Sequence, residues 1–226
     1  MLQRILEPEV MDSQEEAVDY DRMDHSAVNR LFSDDFLAMA PGRLPGRATC
    51  RVLDVGTGTA QIPIELAPRR NDLRITAIDL AGHMLQVAQR NVIQAGLTAQ
   101  IKLEQVDAKS LPFADGAFDA VISNSIIHHL PDPRIAFREM ARVLREGGAL
   151  FVRDLLRPPD GETLDRLVAT YAGQANEHQR QMFRDSLHAA LSLDEVRGQL
   201  ADAGVPLDWV RPTSDRHWTI AGIRTG

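Results

Sequence analysis

The sequence predicts an α/β fold, in which a doubly wound, mostly parallel β-sheet carries helices on both of its faces. Between residues 51 and 153, short apolar runs that are typical of buried strands alternate with amphipathic segments of helical periodicity. This alternation indicates consecutive β-α-β units. The chain has 226 residues, 44% of them hydrophobic and 25% charged, which suits one domain with appendages and excludes disordered and fibrous classes.

Five strands are predicted in this part of the chain. They cover residues 51–55, 74–79, 101–106, 118–123 and 149–153. The fourth strand is continuously apolar, as expected for a strand that is covered on both faces. Helices follow the first, second and fourth strands. The last of these helices has the clearest limits, with Asp132 as N-cap, Pro133 in its first turn and Gly147-Gly148 at its end.

The first part of the chain is polar and is predicted to be helical. Ser13 begins a capping box, and apolar residues recur at helical spacing from Ser26. Pro-Gly pairs at Pro41 and Pro45 predict a linker before the first strand. Because the segment is too short for a core of its own, we expect residues 1–47 to form a helical lid.

The main domain is then expected to span residues 48–226, with a change of pattern after the fifth strand. Residues at about 157–191 have mixed polarity and helical spacing, which predicts a helical insert. Two strand-like segments follow it, from Leu207 to Val210 and from His217 to Ile223. The loop between them is short, so they are predicted to pair as an antiparallel hairpin.

Charge and cysteine content narrow the classes of partner. Asp and Glu number 32 against 25 Lys and Arg, a net charge of −7, and nucleic-acid backbones and anionic lipid repel an acidic chain. Cys50 is the only cysteine, so no intramolecular disulfide can form. The first ten residues lack the apolar core of a signal peptide, and no apolar run is long enough to span a membrane. We therefore expect a cytoplasmic protein without nucleic-acid or membrane partners, whose oligomeric state stays open.

A glycine-rich loop, Gly56-Thr57-Gly58, joins the first strand to the helix after it. Such a loop lets a ligand approach the main chain closely. A dinucleotide fingerprint would need a small residue three positions after Gly58, where this sequence has Gln61. Asp54 lies inside the strand just before the loop, where its charge would repel a pyrophosphate and suits a cationic amino-acid ligand. The loop alone is equally compatible with another kind of nucleotide turn.

Two further acids follow strand ends. Asp79 closes the second strand, 21 residues after Gly58, a position from which a carboxylate can bond both ribose hydroxyls. Asp107 and the Ala108 amide follow the third strand, where they could meet an adenine edge. Each acid taken singly could instead cap a helix or a turn. Because parallel strands end at one edge of the sheet, Asp54, Asp79 and Asp107 are expected to lie close together.

Three segments together resemble the class I S-adenosylmethionine-dependent methyltransferases. They are VLDVGTGTA from Val52, ITAIDLAGHMLQVAQRN from Ile75, and the stretch from Gln105 to Val152. The resemblance is strongest to the small-molecule group typified by ubiquinone and menaquinone biosynthesis, methyltransferase type 11, and it covers about residues 49–155. It implies a Rossmann-like, seven-stranded sheet whose last strand is antiparallel, and S-adenosyl-L-methionine as methyl donor.

The resemblance also implies which residues bind the donor. Asp54 would face its methionine part, Asp79 its ribose and Asp107 its adenine. The full set is Tyr20, Asp54, Gly56, Thr57, Gly58, Gln61, Asp79, Leu80, Met84, Asp107, Ala108 and Asn124. Tyr20 stands in the N-terminal segment, which folds over the donor in similar enzymes. The sequence departs from the family pattern at Ala60, where a third glycine is common.

His128 and His129 follow the fourth strand, near the crevice that a switch in strand order creates. They are the candidate catalytic residues, because an imidazole can take a proton from a nucleophile. Either could instead shape the loop or contact the substrate. No carboxylate partner and no third metal ligand are evident at a suitable spacing, so no metal is expected and each histidine is predicted to be dispensable. Arg153-Asp154 could line the substrate side or form a surface ion pair.

The predicted function is direct, in-line methyl transfer to a small molecule that the helical insert holds. The enzyme's task would be to place the nucleophile and exclude water. An RNA or protein methyltransferase is a less favoured alternative, since amino-methylating members carry two prolines and an aromatic residue where this chain has Ser125-Ile126-Ile127. A metal-dependent catechol-type enzyme is disfavoured, because no acidic cluster follows Asn124. The alternative from another class is a protein that binds the donor without catalysis.

Overall fold

The structure, a computed structural model, describes residues 2–9, 13–39 and 49–225. A seven-stranded sheet forms its centre. The strands are β1 (Cys50–Val55), β2 (Leu73–Asp79), β3 (Ile101–Gln105), β4 (Phe118–Asn124), β5 (Leu144–Leu155), β6 (Val210–Pro212) and β7 (His217–Ile223). Their order is β3-β2-β1-β4-β5-β7-β6, with β7 antiparallel to both neighbours and the other pairs parallel. The predicted Rossmann-like sheet with an antiparallel last strand is confirmed.

Helices cover both faces of this sheet, as the β-α-β pattern predicts. In the described ranges they are α1 (Gln14–Arg22), α2 (Ser26–Met39), α3 (Gln61–Leu66), α4 (Gly82–Gln94), α5 (Arg134–Val143), α6 (Gly161–Ala172), α7 (Glu177–Ala189) and α8 (Leu193–Leu200). Successive strand residues face opposite sides. Val52 and Ile122 therefore pack with α2, α3 and α4, whereas Leu53 and Val121 pack with α5 and α8.

The fifth strand begins earlier than the sequence predicts. β5 starts at Leu144, so Gly147-Gly148 lies inside the strand instead of ending the preceding helix. The register of β5 against β4 shifts at this point, which marks a β-bulge. A Cβ on Gly148 would lie 2.8 Å from the carbonyl oxygen of Arg145. The glycine pair is therefore required by the bulge and is not a helix stop.

Two other boundaries differ by a turn or less. α5 begins at Arg134 with Pro133 as its N-cap, and Asp132, the predicted N-cap, accepts a hydrogen bond from the Arg134 backbone at 3.2 Å. The first tail segment is a 3₁₀ turn over Leu207–Trp209 that leads into β6. β6 and β7 form the predicted antiparallel hairpin.

The insert after β5 consists of two helices, α6 and α7, and packs around an apolar cluster of its own. The predicted linker at Pro41 and Pro45 lies outside the described residues. None of the helices in the described ranges is long and apolar enough to cross a membrane.

The two N-terminal helices differ in how they join the domain. α1 begins with the predicted capping box, in which Ser13 Oγ accepts from the Glu16 backbone at 3.2 Å and the Glu16 carboxylate accepts from the Ser13 backbone at 3.1 Å. In α2, Phe32 and Phe36 are fully buried, and the Phe32 ring meets Phe151 of β5 edge-on at 4.9 Å. α2 therefore belongs to the main core.

Phe32→Ala is expected to lower the free energy of unfolding by about 3–5 kcal/mol, because removal of a fully buried aromatic ring leaves a cavity. Leu31 precedes it in the same helix and is 56% exposed, so Leu31→Ala should change that free energy by less than about 0.5 kcal/mol. Urea denaturation of both variants measures the difference. Equal effects would show that α2 is not part of the core.

Candidate active site

A pocket opens at the carboxyl ends of β1 to β4, where the strand order reverses between β1 and β4. Ligands of open α/β sheets bind at this position. The pocket has an empty volume of about 1060 Å³, part of it open to solvent. Its lining includes every donor-binding residue that the resemblance implies: Tyr20, Asp54, Gly56, Thr57, Gly58, Gln61, Asp79, Leu80, Met84, Asp107, Ala108 and Asn124. His129 lines the pocket as well, whereas His128 lies behind it.

The loop after β1 is fixed by close contacts with its neighbours. Gly56 has a φ of +75°, in the left-handed region that favours glycine. A Cβ on Gly56 would lie 1.9 Å from Cγ2 of Ile126, in the loop after β4. The backbone N–H groups of Gly56 and Thr57 donate to the Ile78 carbonyl at 2.9 and 2.8 Å. Ala60 has a φ of +62° and so keeps a left-handed conformation without glycine, at a cost of about 1–2 kcal/mol.

The acids at the ends of β2 and β3 organise the turns beside them. The Asp79 carboxylate accepts hydrogen bonds from the backbone of Gly58 at 2.7 Å and of Ala81 at 2.9 Å. It thereby joins the glycine loop to the start of α4. Asp107 accepts from the backbone of Lys109 at 2.8 Å. Each acid therefore fixes a turn and also lines the pocket, so the two interpretations that the sequence allowed are compatible.

Asp54 is a buried carboxyl with one oxygen that the described residues leave without a hydrogen-bond partner. Its side chain is 2% exposed, and among the described residues its Oδ2 has no hydrogen-bond partner. Burial raises the pKa of Asp54 to about 7, and the nearby Asp79 charge contributes to this rise. The hydroxyl of Thr59 is likewise buried without a partner in the described part of the chain. Buried polar atoms of this kind are rare in proteins, and here they surround a pocket.

His128 pairs with a carboxylate that the sequence analysis did not anticipate. Its Nδ1 lies 2.5 Å from Oδ1 of Asp154 in β5, and both side chains are buried. Asp154 also accepts from the backbone of Ile127 and of Leu155, each at 2.6 Å. Burial would lower the pKa of His128, but the charge of Asp154, the hydrogen bond to it and the charge of Glu7 together raise that pKa. The expectation that no carboxylate lies beside the histidine pair is wrong.

Glu7 lies against both histidines, although it is far from them in sequence. Its Oε1 is 3.3 Å from Nε2 of His128 and 3.1 Å from Nδ1 of His129. Burial lowers the pKa of His129 to about 3, and the charge of His128 adds to this effect. His129 is therefore neutral at physiological pH. Glu7 is thus a third candidate metal ligand beside the two histidines, which the spacing of residues in the sequence did not reveal.

Arg153 has a structural role. The sequence allowed a place on the substrate side or in a surface ion pair with Asp154. Instead Arg153 is buried, and its guanidinium donates to Asp35 of α2 at 2.6 Å and to Thr219 of β7 at 3.0 Å. It joins three elements of the core.

The register of the sheet explains how Asp154 could have been found from the sequence. Asn124 at the end of β4 stands opposite Arg153 in β5, so the next residue, Asp154, falls beside the loop that carries His128. Because adjacent parallel strands end at the same edge of a sheet, the proximity of Asp154 and His128 was predictable. No local signal marks Glu7, which precedes the first helix and reaches the site only through the folded chain.

The N-terminal segment closes one side of the pocket. Tyr20 of α1 lines it, and burial raises the pKa of Tyr20 to about 12. The next residue, Asp21, accepts from the side-chain amides of Gln61 at 3.0 Å and Asn91 at 2.8 Å. These bonds attach α1 to α3 and α4. Glu9 also lines the pocket.

Asp54→Asn is expected to gain stability relative to the wild type as the pH rises. An aspartate in the unfolded chain ionises near pH 4, whereas folded, ligand-free Asp54 keeps its proton until about pH 7. Between these values the wild type loses stability with rising pH, and asparagine does not titrate. The variant should gain about 2–3 kcal/mol relative to the wild type between about pH 5 and pH 8. Urea denaturation across this range, with the exposed Asp208→Asn as control, measures the effect, and a difference that is constant with pH would contradict the raised pKa.

Comparison with known proteins identifies relatives of this chain. Residues 53–152 match a family model described as a methyltransferase domain. The chain is 32% identical over 187 residues to 27-O-demethylrifamycin SV methyltransferase of Amycolatopsis mediterranei, an alignment that covers 81% of this chain and 65% of that protein. It is 30% identical over 163 residues to a ubiquinone biosynthesis O-methyltransferase of Xanthomonas oryzae pv. oryzae, covering 68% of this chain and 67% of the relative. The chain thus spans about two thirds of the length of these curated relatives.

A solved structure shows the same fold over nearly the whole chain. The crystal structure of a protein from Methanococcus maripaludis, described as an S-adenosyl-L-methionine-dependent methyltransferase, aligns with a TM-score of 0.73 and 21% identity. The alignment covers 98% of each chain. The similarity in sequence, the matched domain and the shared architecture agree. This chain therefore belongs to the S-adenosylmethionine-dependent methyltransferase family.

Proposed function

We propose that the protein transfers a methyl group from S-adenosyl-L-methionine to an oxygen atom of a small molecule. The observation that carries this proposal is the single pocket at the β1–β4 edge, which all twelve residues implied for donor binding line together. The names of the two curated relatives, which describe methylation at oxygen in rifamycin and ubiquinone biosynthesis, support an oxygen acceptor of small size.

The charges of the pocket suit the donor. Asp54, buried and with no hydrogen-bond partner for its Oδ2 among the described residues, would take its charged form beside the cationic amino-acid part of the ligand. Asp79 would accept hydrogen bonds from the ribose hydroxyls, as acids at this strand end do in nucleotide folds. Asp107 and the Ala108 amide would meet the adenine edge.

The acceptor would enter from the side of the histidine pair. The donor supplies an activated methyl group, so the chain has to align the acceptor oxygen, exclude water and receive one proton. His128 is the group best suited to receive it, because Asp154 holds its Nδ1 and directs Nε2 away from β5. Glu7 lies against that nitrogen, so it has to withdraw before the acceptor oxygen can approach.

The lid that we propose is shorter than the segment of residues 1–47 that the sequence predicts. Two phenylalanines of α2 lie in the main core, which favours movement of residues 2–9 and α1 only. Asp21 and Tyr20 tie α1 to the pocket by contacts at its surface, and such contacts can open without loss of the core. We propose that this part of the chain closes over the donor, with residues 48–226 as the methyltransferase domain.

Asp79→Asn is expected to weaken the binding of S-adenosylmethionine and of its demethylated product by about 10- to 100-fold, since hydrogen bonds to a charged acceptor contribute roughly 1.5–3 kcal/mol. The asparagine keeps the shape of the side chain. Isothermal titration calorimetry measures both affinities, and Asp208→Asn, an exposed acid away from the pocket, serves as control. Unchanged affinity in Asp79→Asn would reject the ribose assignment. Tight binding of NADH by the wild type would reject the proposed function.

His128→Ala is expected to lower methyl transfer by about 10²- to 10⁴-fold, the usual contribution of a general base. This expectation replaces the one drawn from the sequence, because that one depended on the lack of a carboxylate partner. An acceptor is first identified by a screen of metabolites with a labelled methyl donor. Donor affinity, measured by calorimetry, should stay within about threefold of the wild type, and Asp154→Asn should reproduce the loss. Full turnover in His128→Ala would remove the histidine from the mechanism.

A further inference from the structure

Residues 2–9, here called the strap, are bound across the insert and the loop after β4. Arg4 donates from Nε to the Ala189 carbonyl at 2.7 Å and from Nη2 to the Leu130 carbonyl at 2.9 Å. The first contact reaches the end of α7, and the second reaches the loop of the histidine pair. The strap is thereby fixed on both sides of Glu7, because Glu9 also pairs with a lysine at the rim of the pocket. The position of Glu7 is therefore determined by the fold.

Three side-chain atoms, one from the strap and two from the histidine pair, lie close together without forming hydrogen bonds to one another. Oε1 of Glu7, Nε2 of His128 and Nδ1 of His129 belong to a group whose ligand atoms all lie within 4.8 Å of one another. Oε1 of Glu7 and Nδ1 of His129 are buried, and neither has a hydrogen-bond partner among the described residues, although they are 3.1 Å apart. Buried polar atoms in folded proteins are almost always partnered. A species that accepts lone pairs would satisfy them.

The separations of these atoms suit a small cation. Oε1 of Glu7 is 3.3 Å from Nε2 of His128 and 3.1 Å from Nδ1 of His129. In a tetrahedral site with bonds of about 2.0–2.1 Å to nitrogen and oxygen, neighbouring ligand atoms lie about 3.3 Å apart. The two measured edges are therefore close to those of a zinc site. The ligand atoms of the three residues all lie within 4.8 Å of one another.

A metal site also needs groups that orient its ligands, and the surroundings of His128 supply one. Metal-binding histidines usually direct their other ring nitrogen at a carboxylate, which fixes the ring and raises its basicity. His128 has this arrangement, with Nδ1 at 2.5 Å from Asp154. Glu7 and Asp154 together carry two negative charges when ionised, which a divalent ion would balance. The guanidinium of Arg4 is nearby, but its donors are directed at backbone carbonyls.

We propose that Glu7, His128 and His129 form a binding site for a divalent transition-metal ion of the Zn²⁺ type. Two imidazoles and one carboxylate form a set that binds zinc and related ions, whereas Mg²⁺ and Ca²⁺ require oxygen ligands. Of the three ligands, His129 is also part of the pocket lining. The ion would fasten the strap to the domain. The ion-bound state is distinct from the catalytic state of the proposed function, since an ion on Nε2 of His128 occupies the nitrogen that receives the proton there.

The test is a titration of the metal-free full chain with Zn²⁺ in competition with a chromophoric chelator. We expect one ion per chain, with a dissociation constant on the order of 1 µM or tighter, and no displacement by millimolar Mg²⁺. Glu7→Gln and His129→Ala should each weaken binding by about tenfold or more, and Asp154→Asn by about 10- to 100-fold. Asp208→Asn, a change of an exposed acid outside the strap and the pocket, should bind Zn²⁺ like the wild type.

Amide hydrogen exchange provides a second readout that does not depend on any one variant. Zn²⁺ should slow exchange in the peptide that covers residues 2–9 of the wild type and of Asp208→Asn, and should have no such effect in Glu7→Gln. The proposal is overturned if the wild type binds no ion at this affinity, if Glu7→Gln and His129→Ala bind like the wild type, or if Mg²⁺ competes equally. Donor affinity is measured separately by calorimetry. Loss of zinc binding with donor binding intact refutes only the metal site, whereas the reverse result refutes the proposed function.

Discussion

A carboxylate buried inside a protein needs hydrogen-bond donors or a cation, and the part of the molecule around the histidine pair depends on one carboxylate that has them. Asp154, fully buried at the end of β5, receives the backbone N–H groups of Ile127 and Leu155 and the imidazole of His128. Burial alone would raise the pKa of Asp154, but His128 and the backbone donors hold that pKa below its usual value. The loop after β4 therefore cannot move independently of β5, and its two histidines keep fixed orientations. Removal of the carboxylate would release the loop, the ring and the position of Glu7 together.

The two sides of the pocket are organised by different means. On the donor side, backbone geometry dominates: Gly56 allows the loop after β1 to lie against Ile126, and Asp79 ties the same loop to α4. Around the histidine pair, ionisable side chains dominate, and they come from three distant parts of the chain. A scaffold of this kind can keep one ligand while the other varies, because the glycine loop is held by its hydrogen bonds to Ile78 and Asp79 and not by the strap or the insert.

The parts of this structure that were predictable from the sequence are those with local signals. Strand cores, the glycine loop and the acids at strand ends are short-range patterns, and the parallel order of the strands brings the acids to one edge. The start of β5 was not predictable in the same way, because Gly147-Gly148 is equally suitable for a helix stop and a bulge. The contacts of Glu7 and Asp154 with the histidines were missed because they join residues far apart in sequence. Arg153 was misjudged since charged residues are usually exposed, and here Asp35 and Thr219 compensate its burial.

The raised pKa of Asp54 couples ligand binding to proton release. Near neutral pH a fraction of the ligand-free molecules carry a proton on this carboxyl, because burial shifts its pKa to about 7. A cationic ligand that settles against the carboxyl favours the charged form and expels that proton into the solvent. The heat of binding measured in a calorimeter would then include the heat of protonating the buffer. Apparent enthalpies would differ between phosphate and Tris at the same pH, and the slope of that dependence would count the protons that leave.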